Sequence, residues 1–129
     1  ARPLQFATTR NEERMMINYE RDRVIQLYDQ QGKFDVGTLT ATPGVMLDLE
    51  EQHGNEAPVY LGACVLRHRQ GDWGEIDQQD KQTNDAAVVS GHRLISAYPI
   101  DRCADGGSTF WLITEADRAY TTALLTSEY

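Results

Sequence analysis

The chain has 129 residues, enough for one domain that buries its core without a metal or disulfide staple. Charged residues make up 25% and the formal net charge is -8, which argues against an extended phosphate-contacting surface, because such surfaces are built from clustered Lys and Arg. No apolar run approaches the ~20 residues that span a bilayer, and the opening ARPLQFATTR lacks the apolar stretch of a signal peptide, so a cytoplasmic location with no membrane partner is expected.

Thr9, Arg10, Asn11 and Glu12 have the form of a capping box, and Met16, Ile17, Val24, Leu27 and Tyr28 behind it fall on one side of a helical wheel. The spacing predicts a helix from about residue 10 to 30, ended by Gly32; a hairpin turning at 20–23 is the competing reading. Residues 1–35 are therefore read as an N-terminal helical extension, helix or hairpin, ahead of a single α+β domain at 36–129. Within that domain, FDVGTLTA at 34–41 alternates with β-branched residues and reads as a short strand. Thr42 followed by Pro43 is a strong helix start, with Met46 and Leu49 inward and Gly54 just past the end. Pro58 opens a second helix, whose basic last turn of Arg67, His68 and Arg69 suits the negative end of the helix dipole.

The stretch at 71–91, GDWGEIDQQDKQTNDAAVVSG, holds the densest group of acids: Asp72, Glu75, Asp77, Asp80 and Asp85. Asp77 is placed to cap a helix whose first turn carries Asp80, with Ile76, Thr83 and Ala87 as a thin inward stripe and Gly91 as its stop. From His92 the period changes to two. HRLISAYPI, TFWLIT and AYTTALLT read as strands, separated by a turn at Asp105, Gly106 and Gly107 and a shorter one at 115–118. The expected fold class is α+β: a three- to four-stranded antiparallel meander at the C-terminal end, the strand at 34–41 serving as the fourth, with three to four helices packed on one face.

Motifs for chemistry are absent. The acids at 72, 75, 77 and 80 do not follow the D-x-D-x-D-G calcium loop, and His53, His68 and His92 stand alone, so no metal is expected. There is no Gly-rich phosphate loop and no G-x-S-x-G elbow, so no cofactor and no catalytic residue are expected either. Cys64 and Cys103 have no CxxC relation and read as thiols, Cys64 buried in a helix and Cys103 in a loop. Trp73, between two turn glycines, is a lid over the seam between helix and sheet or a ligand-stacking ring. Asp72 is expected to hold its turn by hydrogen bonds to nearby backbone or to Arg118. Asp117 and Arg118 at a hairpin tip read as turn chemistry, Asp on its own backbone and Arg solvated, or as a binding pair. The candidate binding residues are thus Asp72, Trp73, Glu75, Asp117 and Arg118.

GDWG, TND with Ala86, GHRLISAY at 91–98, FWLITEADR at 110–118, TTALL and the terminal Glu-Tyr together resemble a group of small bacterial proteins from chromosomes, plasmids and other mobile elements. The group is called hypothetical or plasmid-related and is sometimes labelled a restriction-modification subunit. The resemblance runs from about Val36 to Tyr129. Thr126 departs from it, since the group often has proline there, and the loop at 100–108 is longer than usual. It implies no established activity. The enzymatic sense of the restriction label fails on this chain, which has neither an F-x-G-x-G-like loop nor an N/D-P-P-Y/F motif.

The reading that results is a non-catalytic, protein-binding accessory protein of a mobile genetic element, with a counter-defence role among its uses. Its acidic segment at 72–85 would imitate phosphate spacing toward a basic partner such as a defence or DNA-processing protein, and a homodimer is left open. Two alternatives stand beside it. One is a small metal-dependent hydrolase or nuclease using the acids near Asp72 with His92. The other is a DNA-binding regulator using Arg67, His68, Arg69 and Arg93 as a local patch.

Overall fold

The computed structural model describes residues 32–101 and 107–129. The reading of 10–30 as helix or hairpin lies outside these residues, as do Cys103 and the Asp105 and Gly106 of the expected turn. The unit Gly32–Tyr129 contains β1 (Thr38–Ala41), α1 (Pro43–His53), α2 (Ala57–Arg69), α3 (Gln78–Ser90), β2 (Leu94–Pro99), β3 (Thr109–Thr114) and β4 (Tyr120–Leu125), with single 3-10 turns at Gly54–Glu56 and Thr126–Glu128.

The helices begin and end where local chemistry dictates. Thr42 adopts an extended backbone ahead of Pro43, and its Oγ1 accepts a hydrogen bond from the Val45 amide (3.2 Å). Asp77 caps α3 through the Asp80 amide (2.8 Å), and Gly91 closes that helix in the left-handed region. Val45 and Leu49 on α1 are buried at helical spacing, as are Leu61, Cys64, Val65 and His68 on α2, so both helices turn one stripe to the sheet. Helix α3 is thinner inside, burying only Asn84 and Ala87.

The strands form one four-stranded sheet in the order β1-β4-β3-β2. β2 pairs with β3 and β3 with β4 antiparallel, with Ser96 opposite Leu112 and Leu112 opposite Ala123. β1 lies parallel to β4, Thr38 beside Tyr120, so the sheet is mixed and the expectation of antiparallel pairing throughout is corrected. The reason is non-local. The Thr38 amide donates to Ala119 O (2.9 Å) and the Thr42 amide to Ala123 O (3.0 Å), so the first strand rests against the last and leaves it directly into α1. A Cβ at Gly37, whose φ is 64°, would overlap the backbone of Ala119 at the start of this pairing.

Side chains alternate across the sheet. Leu94, Ser96, Tyr98, Phe110, Leu112, Thr114, Thr121 and Ala123 share one face and are fully buried. Burying each large apolar side chain there contributes about 1.5–3 kcal/mol. The opposite face carries Ile95, Ala97, Trp111, Ile113 and Leu124, of which Ala97 and Ile113 are buried. The chain end is pinned too. Thr42 Oγ1 donates to Glu128 Oε1 (2.7 Å), and the Tyr129 hydroxyl accepts from Arg93 Nη1 (2.7 Å).

Candidate functional site

The stretch at 71–91 runs along the outer edge of β2 and closes it. In an antiparallel edge strand, alternate residues point their amide and carbonyl away from the sheet. On β2 these are Ile95, Ala97 and Pro99. Asn84 reaches from α3 and meets both groups of Ile95, donating Nδ2 to its carbonyl (2.7 Å) and accepting its amide at Oδ1 (3.2 Å). The Ala97 amide donates to Trp73 O (3.2 Å), and the Glu75 amide donates to Ala97 O (2.7 Å), a one-residue parallel bridge through Gly74. Gly74 has φ 73°, and a Cβ there would overlap the Ala97 carbonyl, so only glycine lets the strap come this close. Pro99 has no amide, and its carbonyl accepts the Tyr60 hydroxyl (2.5 Å).

Trp73 anchors the strap. Its ring is 3% exposed and packs on Ala87, Leu94, Ile76, Val88 and Phe34, the last stacked at 5.9 Å, while Nε1 donates to Asp85 Oδ1 (2.9 Å). It is a lid over the seam, and no ring face is free for a ligand. Asp72 holds the turn by accepting the Gly74 amide (3.2 Å) and by pairing with Arg67 (2.7 Å), whose guanidinium lies over the Tyr98 ring at 4.8 Å. That guanidinium is the main reason the Asp72 carboxyl is held below its usual range. Glu75 is exposed, and its backbone, not its side chain, does the bridging.

Arg118 is not solvated, and it does not meet Asp72. It donates Nη1 to the carbonyls of His92 (2.6 Å) and Glu115 (3.2 Å) and Nη2 to Ala87 O (3.1 Å). A fixed cation therefore sits on the Ala87 carbonyl in the last turn of α3 and on the His92 carbonyl just past it, where the helix dipole is negative. Arg118 itself has φ 61°, the one non-glycine among the described residues in the left-handed region, and Asp117 makes the turn by accepting the Ala119 amide (2.9 Å). The hairpin tip thus clamps the helix that seals the edge.

The polar cluster that sequence reading missed lies in the core. His68 is fully buried, with Nδ1 2.5 Å from Ser96 Oγ and Nε2 2.8 Å from Thr114 Oγ1. Thr114 Oγ1 is 2.6 Å from Thr121 Oγ1, and Thr121 donates to Val36 O (2.6 Å). The proton order follows from counting. Thr121 has one hydrogen and gives it to a carbonyl, so Thr114 donates to Thr121 and His68 Nε2–H donates to Thr114. Nδ1 then accepts from Ser96. Burial, aided by the positive charge of Arg118, pushes the His68 pKa down to about 3, so the ring is neutral, as this order requires. His68 is therefore not the dipole-facing cation its place in a basic turn implies. Ser96 beside His68 has the residue types of a nucleophile and its base, but both are sealed from solvent and both ring nitrogens are engaged. The residues are 28 and 46 positions apart, so no local motif announces them.

The remaining chemistry is sparse. Among the described residues, no group of three or more His, Cys, Asp or Glu converges to hold a metal ion. His92 pairs with Ser90 (2.6 Å) at the end of α3. Cys64 is a free buried thiol, pushed up to about 12 by burial and thus no nucleophile at neutral pH. The patch expected of Arg67, His68, Arg69 and Arg93 does not form, because His68 is interior and Arg67 is paired with Asp72. A shallow groove of about 270 Å³ is lined by Asp48, Glu51, Gln52, Ile100, Asp101, Gly107 and Ser108. No helix among the described residues is long and apolar enough to cross a membrane. No protein-family model, curated protein or solved structure matches the chain.

Proposed function

We propose that the chain is a non-catalytic accessory protein that works by binding another protein, with the outward face of α3 as its recognition surface and a role on a mobile element as the resemblance implies. One observation carries the reading. The acids of the 72–85 stretch do not converge on a common point, and Glu75, Asp77, Asp80 and Asp85 all lie exposed along one sealed edge. The two ion pairs among the described residues, Arg67–Asp72 and Arg93–Glu115, neutralise none of these four. Four exposed carboxylates outside both pairs, Asp80 and Asp85 on α3 and Glu75 and Asp77 just ahead of it, steer a basic surface toward this edge and set which partners are repelled. A defence or DNA-processing protein with a basic channel has the matching chemistry.

The test compares the parent with a variant carrying Glu75→Gln and Asp80→Asn, which leaves the Asp77 cap and the Asp85–Trp73 bond in place. Each is immobilised and exposed to a bacterial lysate at low and high ionic strength. The parent should retain a basic protein at low ionic strength and release it as salt rises, and the variant should retain several-fold less. Equal retention by both, or nothing above background, removes the reading.

A further inference from the structure

We infer that the edge at β1, which no other described strand or helix covers, is where two copies of this chain associate, joining their sheets into one continuous eight-stranded sheet. The contact is separate from the acidic face of α3 and stands without it.

The two edges of the sheet are treated differently. On β2, the outward groups of Ile95 and Ala97 and the carbonyl of Pro99 each meet a partner from within the chain. On β1, Thr38 and Thr42 turn their amides to β4, so by alternation Leu39 and Ala41 turn amide and carbonyl outward. The strand is exposed along Thr38, Leu39 and Thr40, and Leu39 is 38% exposed. Protected edges carry Lys, Pro, a bulge or an inward charge. β1 has none of these, and its shortness is its one restraint.

A second copy fits this edge better than a flexible peptide for three reasons. First, the edge is complementary to itself: antiparallel pairing about a two-fold axis sets Leu39 of each copy opposite Ala41 of the other, and each pair exchanges two hydrogen bonds. Second, charge permits it. Residues 36–47 contain no charged side chain. The acids of α3 flank β2, the far edge. Helix α1 carries its acids in its later turns, where His53 meets Ile100 O at the end of β2. Two chains of net charge -8 therefore meet along a strand that carries no charge of its own, with the Glu128 carboxylate on Thr42 at one end of it. Third, each copy brings a strand already held by β4, with Thr40 bonded to Thr122, whereas a peptide must be ordered on arrival. Four residues cover far less than the ~1,200 Å² of a stable interface, so the dimer is reversible and concentration-dependent.

Sedimentation of the full chain across micromolar to millimolar concentration tests this, together with amide hydrogen exchange at both ends of that range. The weight-average mass should climb toward twice the monomer, and the amides of Leu39 and Ala41 should exchange several-fold more slowly at high concentration while that of Val89, exposed on α3, does not change. Leu39→Pro removes one outward donor without touching the β4 ladder and should leave a monomer; Leu39→Lys, which keeps the backbone, should do the same by charge. A parent that stays monomeric overturns the proposal. So does a dimer in which Leu39 and Ala41 exchange as fast as in the monomer, or one that forms equally well with Leu39→Lys. The exchange measurement on the parent decides the matter even where a variant does not fold. Protection of Leu39 and Ala41 that appears only when an unrelated extended peptide is added also overturns it, since the edge then belongs to that class of ligand.

Discussion

The two edges of this sheet are built from similar residues and meet opposite fates. β2 is closed by a glycine-tryptophan strap, one asparagine and a tyrosine hydroxyl, with α3 laid alongside and Arg118 fixing that helix at its end. β1 has four residues, three of them exposed, and nothing laid along it among the described residues. The lesson is that much of the 71–91 stretch, which looks like a binding site in sequence, serves to finish a sheet. Trp73, Asp72, Asn84 and Arg118 are spent on that task. The two proposed contacts therefore draw on what is left, the outward surface of the seal at one edge and the backbone of β1 at the other.

The contrast is broken most severely at Trp73. Trp73→Ala removes the anchor of the strap and leaves a cavity against Ala87 and Leu94, and should cost about 3–5 kcal/mol in denaturant unfolding. Acid comes next, through the network that ties β2 and β3 to Val36 just ahead of β1. His68 has its folded pKa lowered to about 3 from 6.5, so below pH 6.5 the unfolded chain binds a proton that the folded chain refuses. The His68 contribution to stability is thus constant above about pH 7 and falls as pH drops from 6.5 toward 3, by about 1.4 kcal/mol per unit once well below 6.5. Denaturant midpoints between pH 7 and 5 should show this slope in the parent, and His68→Gln should flatten it. Asn84→Ala, which frees both groups of Ile95, should cost about 1–3 kcal/mol and make the Ile95 amide exchange faster. The smallest effect belongs to the open edge: Leu39→Lys should shift stability by no more than about 0.5 kcal/mol in dilute solution. A large loss there would mean that β1 is bound into the fold as firmly as β2, and the contrast between the edges would vanish.

What the sequence made legible was local. Thr42 with Pro43, Asp77 three residues before Asp80, and Gly91 each act within one turn, and each cap is found as read. The packing of Trp73 was also legible, because an indole between two glycines gains little in a free loop. What was not legible depends on contacts between distant positions. The parallel pairing of β1 with β4 joins residues 82 positions apart. His68 looked like a surface cation because its neighbours Arg67 and Arg69 are basic, yet its own direction on the helix points into the core. Arg118 looked solvated because nothing near it in sequence shows that the end of α3 lies beside the hairpin tip. Helix periodicity reports which side is buried, and it is silent on whether a polar side chain will find partners there.

The pairing of the first strand with the last has a consequence in time. β2, β3 and β4 are consecutive, so their ladders close short loops and can zip soon after they are made. β1 leads the unit, yet its ladder needs β4, so it must wait for the last strand of the unit. During synthesis that strand stands free on a nascent chain after α1 and α2 have emerged. The rate at which β4 arrives then sets how long the strand remains without a partner, and slowed elongation between β1 and β4 lengthens that interval.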